Sequence, residues 1–201
     1  MSDVFVPYKN RDHIKKIAAD FLHKYHPKDA YPTPIEEIVE FKLDIDIIPI
    51  PGLHEIIEID GFISSDLSNI SVDEYVYKHR QGRYRFTLAH EVGHAIMHEG
   101  VYRHRGFNTT GDWKDFMETF PENEWSWLEW QANQFAGLIL VPSHHLEKRI
   151  KHHSKQIKAL GIKNEAVAMD RIIELLARDF VVSREVILRR IDKEKSTKPP
   201  K

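Results

Sequence analysis

The chain has 201 residues, 41% of them hydrophobic, and its 29 Lys and Arg nearly balance 31 Asp and Glu for a formal net charge of −2. That balance excludes a general attraction to nucleic acid or acidic membranes, so contact with DNA would need a local basic patch. With 0 Cys there is no disulfide framework and no thiolate chemistry, and a metal ion would have to be held by His, Asp or Glu.

The length suits one domain, or one with a small appendage. The first residues carry no apolar secretory core, and no run approaches ~18 consecutive apolar residues, which points to the cytoplasm. Ile14, Ile17, Ala18, Phe21 and Leu22 fall at helical spacing within residues 10–25, and Pro27 ends that run. Thr33 as N-cap, Pro34 at the first helical position and Glu36 and Glu37 in the first turn predict a second helix. Residues 43–50, 56–64 and 69–76 read as strands, the last two parted by a Ser-Ser-Asp-Leu-Ser turn cluster. Thr87 reads as the N-cap of a helix on which Leu88, Val92 and Ile96 repeat every four residues. Residues 100–123 carry Gly, Asn, Thr and Pro without clear period and read as a long loop. A helix follows over 124–141, stopped by Pro142, then three more over 143–158, 164–178 and 184–192, the last capped by Ser183. Residues 193–201 read as a basic, disordered tail. The fold class expected is α+β: a small mixed or antiparallel sheet packed on helices over residues 1–142, then a C-terminal helical subdomain over 143–192.

The string His90-Glu91-Val92-Gly93-His94 fits the pattern H-E-x-x-H. On a helix, positions four apart share a face, so His90 and His94 can offer imidazole nitrogens to one ion while Glu91 holds a water beside it. A catalytic zinc usually takes three protein ligands and keeps a fourth position for water, so one ligand is missing. His98 drifts by roughly 80° over two turns and suits a supporting role. Glu99, Glu118, Glu122 and Glu124 lie at the helix end or around the loop. The pairs His144-His145 and His152-His153 diverge by about 100° on a helix and read as solvated. Glu129 is the best candidate. It shares a strip with Ala132, Asn133 and Ala136, beside Gly137, and the first helix is small at Ala89 and Gly93. A mid-helix Gly costs ~1 kcal/mol against Ala, so Gly93 points to tight packing. Facing helices of that kind would bring Glu129 to the metal and let Asn133 orient a ligand histidine. The plain alternative is a surface Glu beside a core helix.

The runs RYRFTLAHEVGHAIMH and EWQANQFAGLILVP, with DGFISSDLSNISVDE ahead and ARDFVVSREVILRRI behind, resemble the ImmA/IrrE family of metallopeptidases over roughly residues 10–192. In that family a helix with HExxH precedes one carrying E-x-x-A-N-x-F-A and ending at Leu-x-Pro. The resemblance implies a zincin-like core and a gluzincin-like site, with His90, His94 and Glu129 as Zn²⁺ ligands and Glu91 as catalytic base. It also implies a regulatory protease that cleaves a DNA-binding repressor, often of helix-turn-helix type. Many relatives have Glu at the position of Gln131; Asn133, one turn after Glu129, favours Glu129 as the ligand. Trp125, Trp127, Trp130 and residues 100–123 are particular to this chain, with the tryptophans suited equally to the core or to a cleft wall.

For such a reaction the strand around Ile70–Asp73 is expected to take substrate as an added strand, and Tyr102, His98 and His104 are the candidate oxyanion donors. Two other readings stand beside this one. In one, the helices of residues 164–192 bind DNA and Arg184, Arg189 and Arg190 meet phosphate, although Asp179, Glu185 and Asp192 interrupt that face and favour a packed, HTH-like hairpin. In the other, the chain is a metal-binding or antitoxin-like partner without proteolysis.

Overall fold

The computed structural model describes residues 6–103, 106–107 and 109–195. It is an α+β fold in which a three-stranded sheet packs on helices. Helix α1 (Arg11–Tyr25) starts where Asn10 Oδ1 accepts the His13 N–H at 2.9 Å, and it buries Ile14, Ala18 and Phe21. Helix α2 (Ile35–Lys42) begins one residue later than expected, with Pro34 at the cap position and no side-chain cap bond. Thr33 is buried and its hydroxyl instead donates to the Ile139 carbonyl at 2.7 Å, tying this segment to a distant helix.

The sheet is mixed, in the order β1-β3-β2. Strand β1 (Asp46–Ile50) runs parallel to β3 (Asn69–Asp73), and β2 (Gly61–Ile63) runs antiparallel to it. All three expected strands are shorter than the alternation suggested. Residues 53–57 form helix α3 (Leu53–Ile57), between Gly52 at φ 68° and Glu58 at φ 59°. Residues 74–79 form helix α4 (Glu74–His79), because the Asp73 carboxylate accepts the Val76 N–H at 3.0 Å. The other oxygen of Asp73 accepts the His54 N–H at 3.1 Å, so one carboxylate holds both short helices to the end of β3.

Helix α5 (Gln81–Met97) carries the HEVGH string and begins two turns before Thr87. Thr87 is therefore not its cap; its hydroxyl bonds back to the Arg83 carbonyl at 3.1 Å. Ile96, on the expected apolar stripe, is 40% exposed. Residues 100–123 are not one long loop: helix α6 (Glu99–Tyr102) and helix α7 (Thr110–Thr119) occupy them. The signal for α7 was Thr109-x-x-Asp112, a reciprocal capping box, followed by Trp113, Phe116 and Phe120, which are all buried.

Helix α8 (Glu122–Leu140) is the central element, packing on α5 and on α1, where Phe21 and Phe135 meet edge to face at 5.3 Å. Residues 6–9 cross the ends of both site helices. Val6 N–H donates to Glu124 at 2.6 Å, Gln131 Nε2 to the Pro7 carbonyl at 3.3 Å and Lys9 Nζ to the Met97 carbonyl at 3.1 Å.

Helices α9 (Ser143–Ala159), α10 (Glu165–Phe180) and α11 (Arg184–Lys195) follow. Ser183 caps α11 as expected, accepting from Val186 N–H at 3.3 Å. Residues 193–195 of the expected tail continue this helix; 196–201 lie outside the described residues. The histidine pairs are not simply solvated. His144 and His145 converge on Asp29, and His153 is buried against Asp179 at 2.6 Å while Arg149 donates to the same carboxylate at 2.7 Å. The arginines proposed to meet phosphate all have partners within the chain, Arg190 in the interior and Arg184 and Arg189 at the surface. Arg190 is 4% exposed and donates to the Val141 carbonyl, Ser143 and Glu194, Arg184 pairs with Asp170, and Arg189 pairs with Glu185. No helix among the described residues is long and apolar enough to cross a membrane.

Burial works to raise the Asp179 pKa, but the bonds from Arg149 and His153 outweigh it and hold the carboxyl below its ordinary range. A carboxylate depressed in the folded state stabilises above its unfolded pKa of ~3.9 and loses that contribution as pH falls through the folded value. Asp179→Ala should therefore lower stability by about 1–3 kcal/mol at pH 7, between the values for exposed and buried pairs. The deficit against wild type should shrink below pH ~4. Urea melts at pH 7 and pH 3 measure both; an unchanged deficit at pH 3 would contradict this origin.

Candidate metal centre

Helix α5 presents His90 and His94 one turn apart, and α8 brings Glu129 to the same point. His90 Nε2 and His94 Nε2 are 2.9 Å apart, and the Glu129 carboxylate oxygens lie 3.2 Å and 3.4 Å from them. Atoms around one tetrahedral zinc, with bonds of about 2.0–2.1 Å, are separated by roughly 3.3 Å. Two imidazole nitrogens and a carboxylate held at that spacing fit a borderline divalent cation of the zinc type. Glu91 is 5% exposed, and its Oε2 accepts the Ile63 N–H of β2 at 3.0 Å.

The approach of the two helices depends on Gly93. A Cβ there would stand 3.2 Å from Ala132 Cα and 3.2 Å from a Phe135 ring carbon. Gly61, on the opposite wall, is tighter still: a Cβ would stand 2.6 Å from the Ser71 carbonyl oxygen and 2.7 Å from Thr87.

Behind the histidines lies a second layer. Asn133, one turn past Glu129, is near enough to His90 to favour its charged form. His94 Nδ1 is 3.1 Å from His98 Nδ1, and His98 is buried, with Gln131 as its neighbour on the far side. His98 Nε2 and Gln131 Oε1 face one another without reaching hydrogen-bond geometry. Gln131 thus supports the histidines from behind and does not enter the His90–His94–Glu129 group.

Burial pulls the His90 pKa down, but Glu129, with Glu91 and Asn133 adding to it, pushes it up to about 9. His94 falls to about 4 through burial and the nearby charge of His90. Burial raises Glu91 to about 8, against the pull of His90. Glu129 is held well below the carboxylate range by the two histidines, despite its burial. Glu129, whose side chain is 31% exposed, and His90 thus each favour the other's charged form.

Asp29, His144 and His145 form a second convergent group. His145 Nε2 points at the Asp29 backbone carbonyl at 2.8 Å and so carries its proton, while its Nδ1 is buried with no partner. His145 thus turns Nε2 on Asp29, as His144 does, and the three residues form a hydrogen-bonded cluster.

Residues 75–192 match peptidase family M78, the IrrE N-terminal-like domain. The chain belongs to this family. Both site helices of this M78 member, α5 and α8, lie inside the matched region, while the three strands precede it. No curated protein matches it significantly. Among solved structures it is similar to a Mycobacterium tuberculosis transcriptional regulator, at 13% identity and a TM-score of 0.56. That similarity covers 89% of this chain and 55% of the other, so the chain spans about half the length of that protein.

A cleft of about 250 Å³ opens over the metal group, bounded by Gly61, Phe86, Tyr102, Trp113 and Trp125. Of the oxyanion candidates, Tyr102 is at this cleft, its ring 5.2 Å from that of His94. Its pKa is raised well above the ordinary value by burial and then by Glu91 and Glu129, so the hydroxyl stays a donor. His98 is behind His94, and His104 lies outside the described residues. Trp125 forms part of the cleft wall, whereas Trp127 packs outside on Tyr8 and Trp130. Phe86, Gly61 and Trp113 were not singled out from sequence. Phe86 one turn before His90 was the available clue.

In a helix with room to spare, Gly93→Ala would add about 1 kcal/mol of stability. Here overpacking of about 1–3 kcal/mol opposes that gain. The expected result is a lower Tm and weaker retention of divalent metal; a clear rise in Tm would refute the close-packing account.

Proposed function

We propose that the chain is a zinc-dependent metalloendopeptidase in which His90, His94 and Glu129 hold the ion and Glu91 is the general base. The observation that carries this reading is the convergence of two imidazole nitrogens of α5 and the carboxylate of Glu129 on α8, with contacts of 2.9–3.4 Å between them. Membership of a metallopeptidase family supports it.

Zinc in such a site acts as a Lewis acid and brings the pKa of bound water towards ~7. Glu91 takes the proton of the attacking water on the oxygen not engaged by Ile63 and passes it to the leaving amine. The Ile63 N–H fixes the other oxygen and so aims the carboxylate. The Tyr102 hydroxyl donates to the developing oxyanion.

The substrate strand is assigned to a different edge from the one expected. Strand β3 has a partner on both sides, so Ile70–Asp73 cannot accept another strand. Strand β2 borders the cleft, and its alternate residues Gly61 and Ile63 turn their backbone groups away from β3, the Ile63 N–H to Glu91 and the Ile63 carbonyl and Gly61 groups to the side an added strand would take. An extended peptide laid along β2 would pass over the metal group.

We further propose a zincin-like core up to residue 142 and a packed, HTH-like helical hairpin beyond it. The engaged arginines favour packing over DNA contact. The family resemblance supports a regulatory role in which the substrate is a DNA-binding repressor of helix-turn-helix type.

Glu91→Gln should keep one zinc per chain and lower cleavage at least ~100-fold, the scale of general-base catalysis. Co-expression of either form with a neighbouring repressor, followed by intact mass, is the test. Equal cleavage by both forms would sink the mechanism, and none by either would favour a non-proteolytic partner. Zinc binding at pH 7 should also release about one to two protons, because ligands bind deprotonated and His90 and Glu91 titrate at about 9 and about 8 in the cation-free site. Release should fall away above pH ~9. Calorimetry in buffers of different ionisation enthalpy reads this directly, and no release at pH 7 would contradict the charge arrangement.

A further inference from the structure

The walls of the cleft are aromatic on both sides of the metal group. Phe86 sits one turn before His90 on α5, their rings 6.5 Å apart, and Trp125 sits one turn before Glu129 on α8. Helix α7 sets Trp113 between the sheet and α8. Its ring lies 5.8 Å from Phe62 of β2 and 5.8 Å edge to face from Trp125. Phe86 and Trp125 are only partly buried, so each leaves apolar surface bare within the cleft. Trp113 is 5% exposed and packs by its ring against Phe62 and Trp125, so the surface it adds to the wall is aromatic. A volume of about 250 Å³ is below the ~300–1,000 Å³ of clefts that enclose whole drug-sized ligands, and it suits one side chain with its adjoining peptide group.

We propose that Phe86, Trp113 and Trp125 form a specificity subsite that takes a large apolar side chain, aromatic or Leu/Met-like, on the residue next to the scissile bond. The proposal rests on the metallopeptidase reading and adds the chemical class of residue that the site selects. Helix α7 is the specificity-determining element, because Trp113 is the one of the three subsite residues that belongs to neither ligand-bearing helix.

The test uses amino-acid hydroxamates, which chelate zinc and carry a single side chain. Zinc-loaded full-length protein is titrated calorimetrically with glycine, leucine and phenylalanine hydroxamates. Burial of such a side chain predicts leucine and phenylalanine forms binding about ten- to a hundredfold tighter than the glycine form. Trp113→Ala should bring the ratio below about threefold, and Trp113→Phe should keep most of the preference. Trp125→Ala, at a partly exposed position, should reduce the ratio even where Trp113→Ala fails to fold, with folding checked by circular dichroism. Equal binding of the three probes by zinc-loaded wild type overturns the subsite and leaves the metal site standing. An unchanged ratio in Trp125→Ala or in folded Trp113→Ala does the same. Failure of the chain to take up zinc, measured separately, overturns the metallopeptidase reading and this inference with it.

Discussion

Everything at the cleft depends on how closely α5 and α8 approach at Gly93 and Ala132. A side chain at position 93 would meet the backbone of α8 at 3.2 Å. Removing it sets the separation at which a carboxylate on one helix reaches two imidazoles on the other. Neither helix alone offers the three donors. The site is therefore a property of a helix pair, and the apolar packing that holds the pair, including Phe135 on Phe21, is as necessary to it as the donors themselves.

The buried charges follow from the same closeness. A carboxylate and two imidazoles cannot share a low-dielectric pocket without compensation. Here Glu129 and His90 favour each other's charged forms, while burial pushes Glu91 towards its neutral form. A divalent cation offers the same compensation more completely, so the pocket is preorganised for positive charge. The layer behind it, Asn133 on His90 and His98 on His94, fixes the ring orientations that make the donors converge.

The parts that were legible from sequence were those governed by local periodicity. HEVGH sets its two histidines by helix geometry, and the small strip beside Glu129 marks a face built for contact. Segments where capping competes with alternation were less legible. Residues 69–76 alternate like a strand throughout, yet the Asp73 cap turns the last three into α4. Residues 100–123 look aperiodic, yet the Thr109–Asp112 capping box starts a helix whose apolar face is complete. The assignment of β3 as substrate edge failed because strand order in a mixed sheet is set by long-range pairing, which local pattern does not encode. The buried environments of His145 and His153 were missed for a like reason, since their partners Asp29 and Asp179 lie far away in sequence.

The strap formed by residues 6–9 has a consequence for how the protein assembles. Its bonds to Met97, Glu124 and Gln131 close chain segments of 88, 118 and 124 residues. Contacts of such separation are entropically expensive to form first, and loop closure that long favours late consolidation. The pocket is consequently a long-range product of folding: a nascent chain that has made α5 but not yet α8 has the two histidines and no carboxylate opposite them. Convergence of the three side chains is thereby confined to molecules whose start, middle and second site helix are already joined.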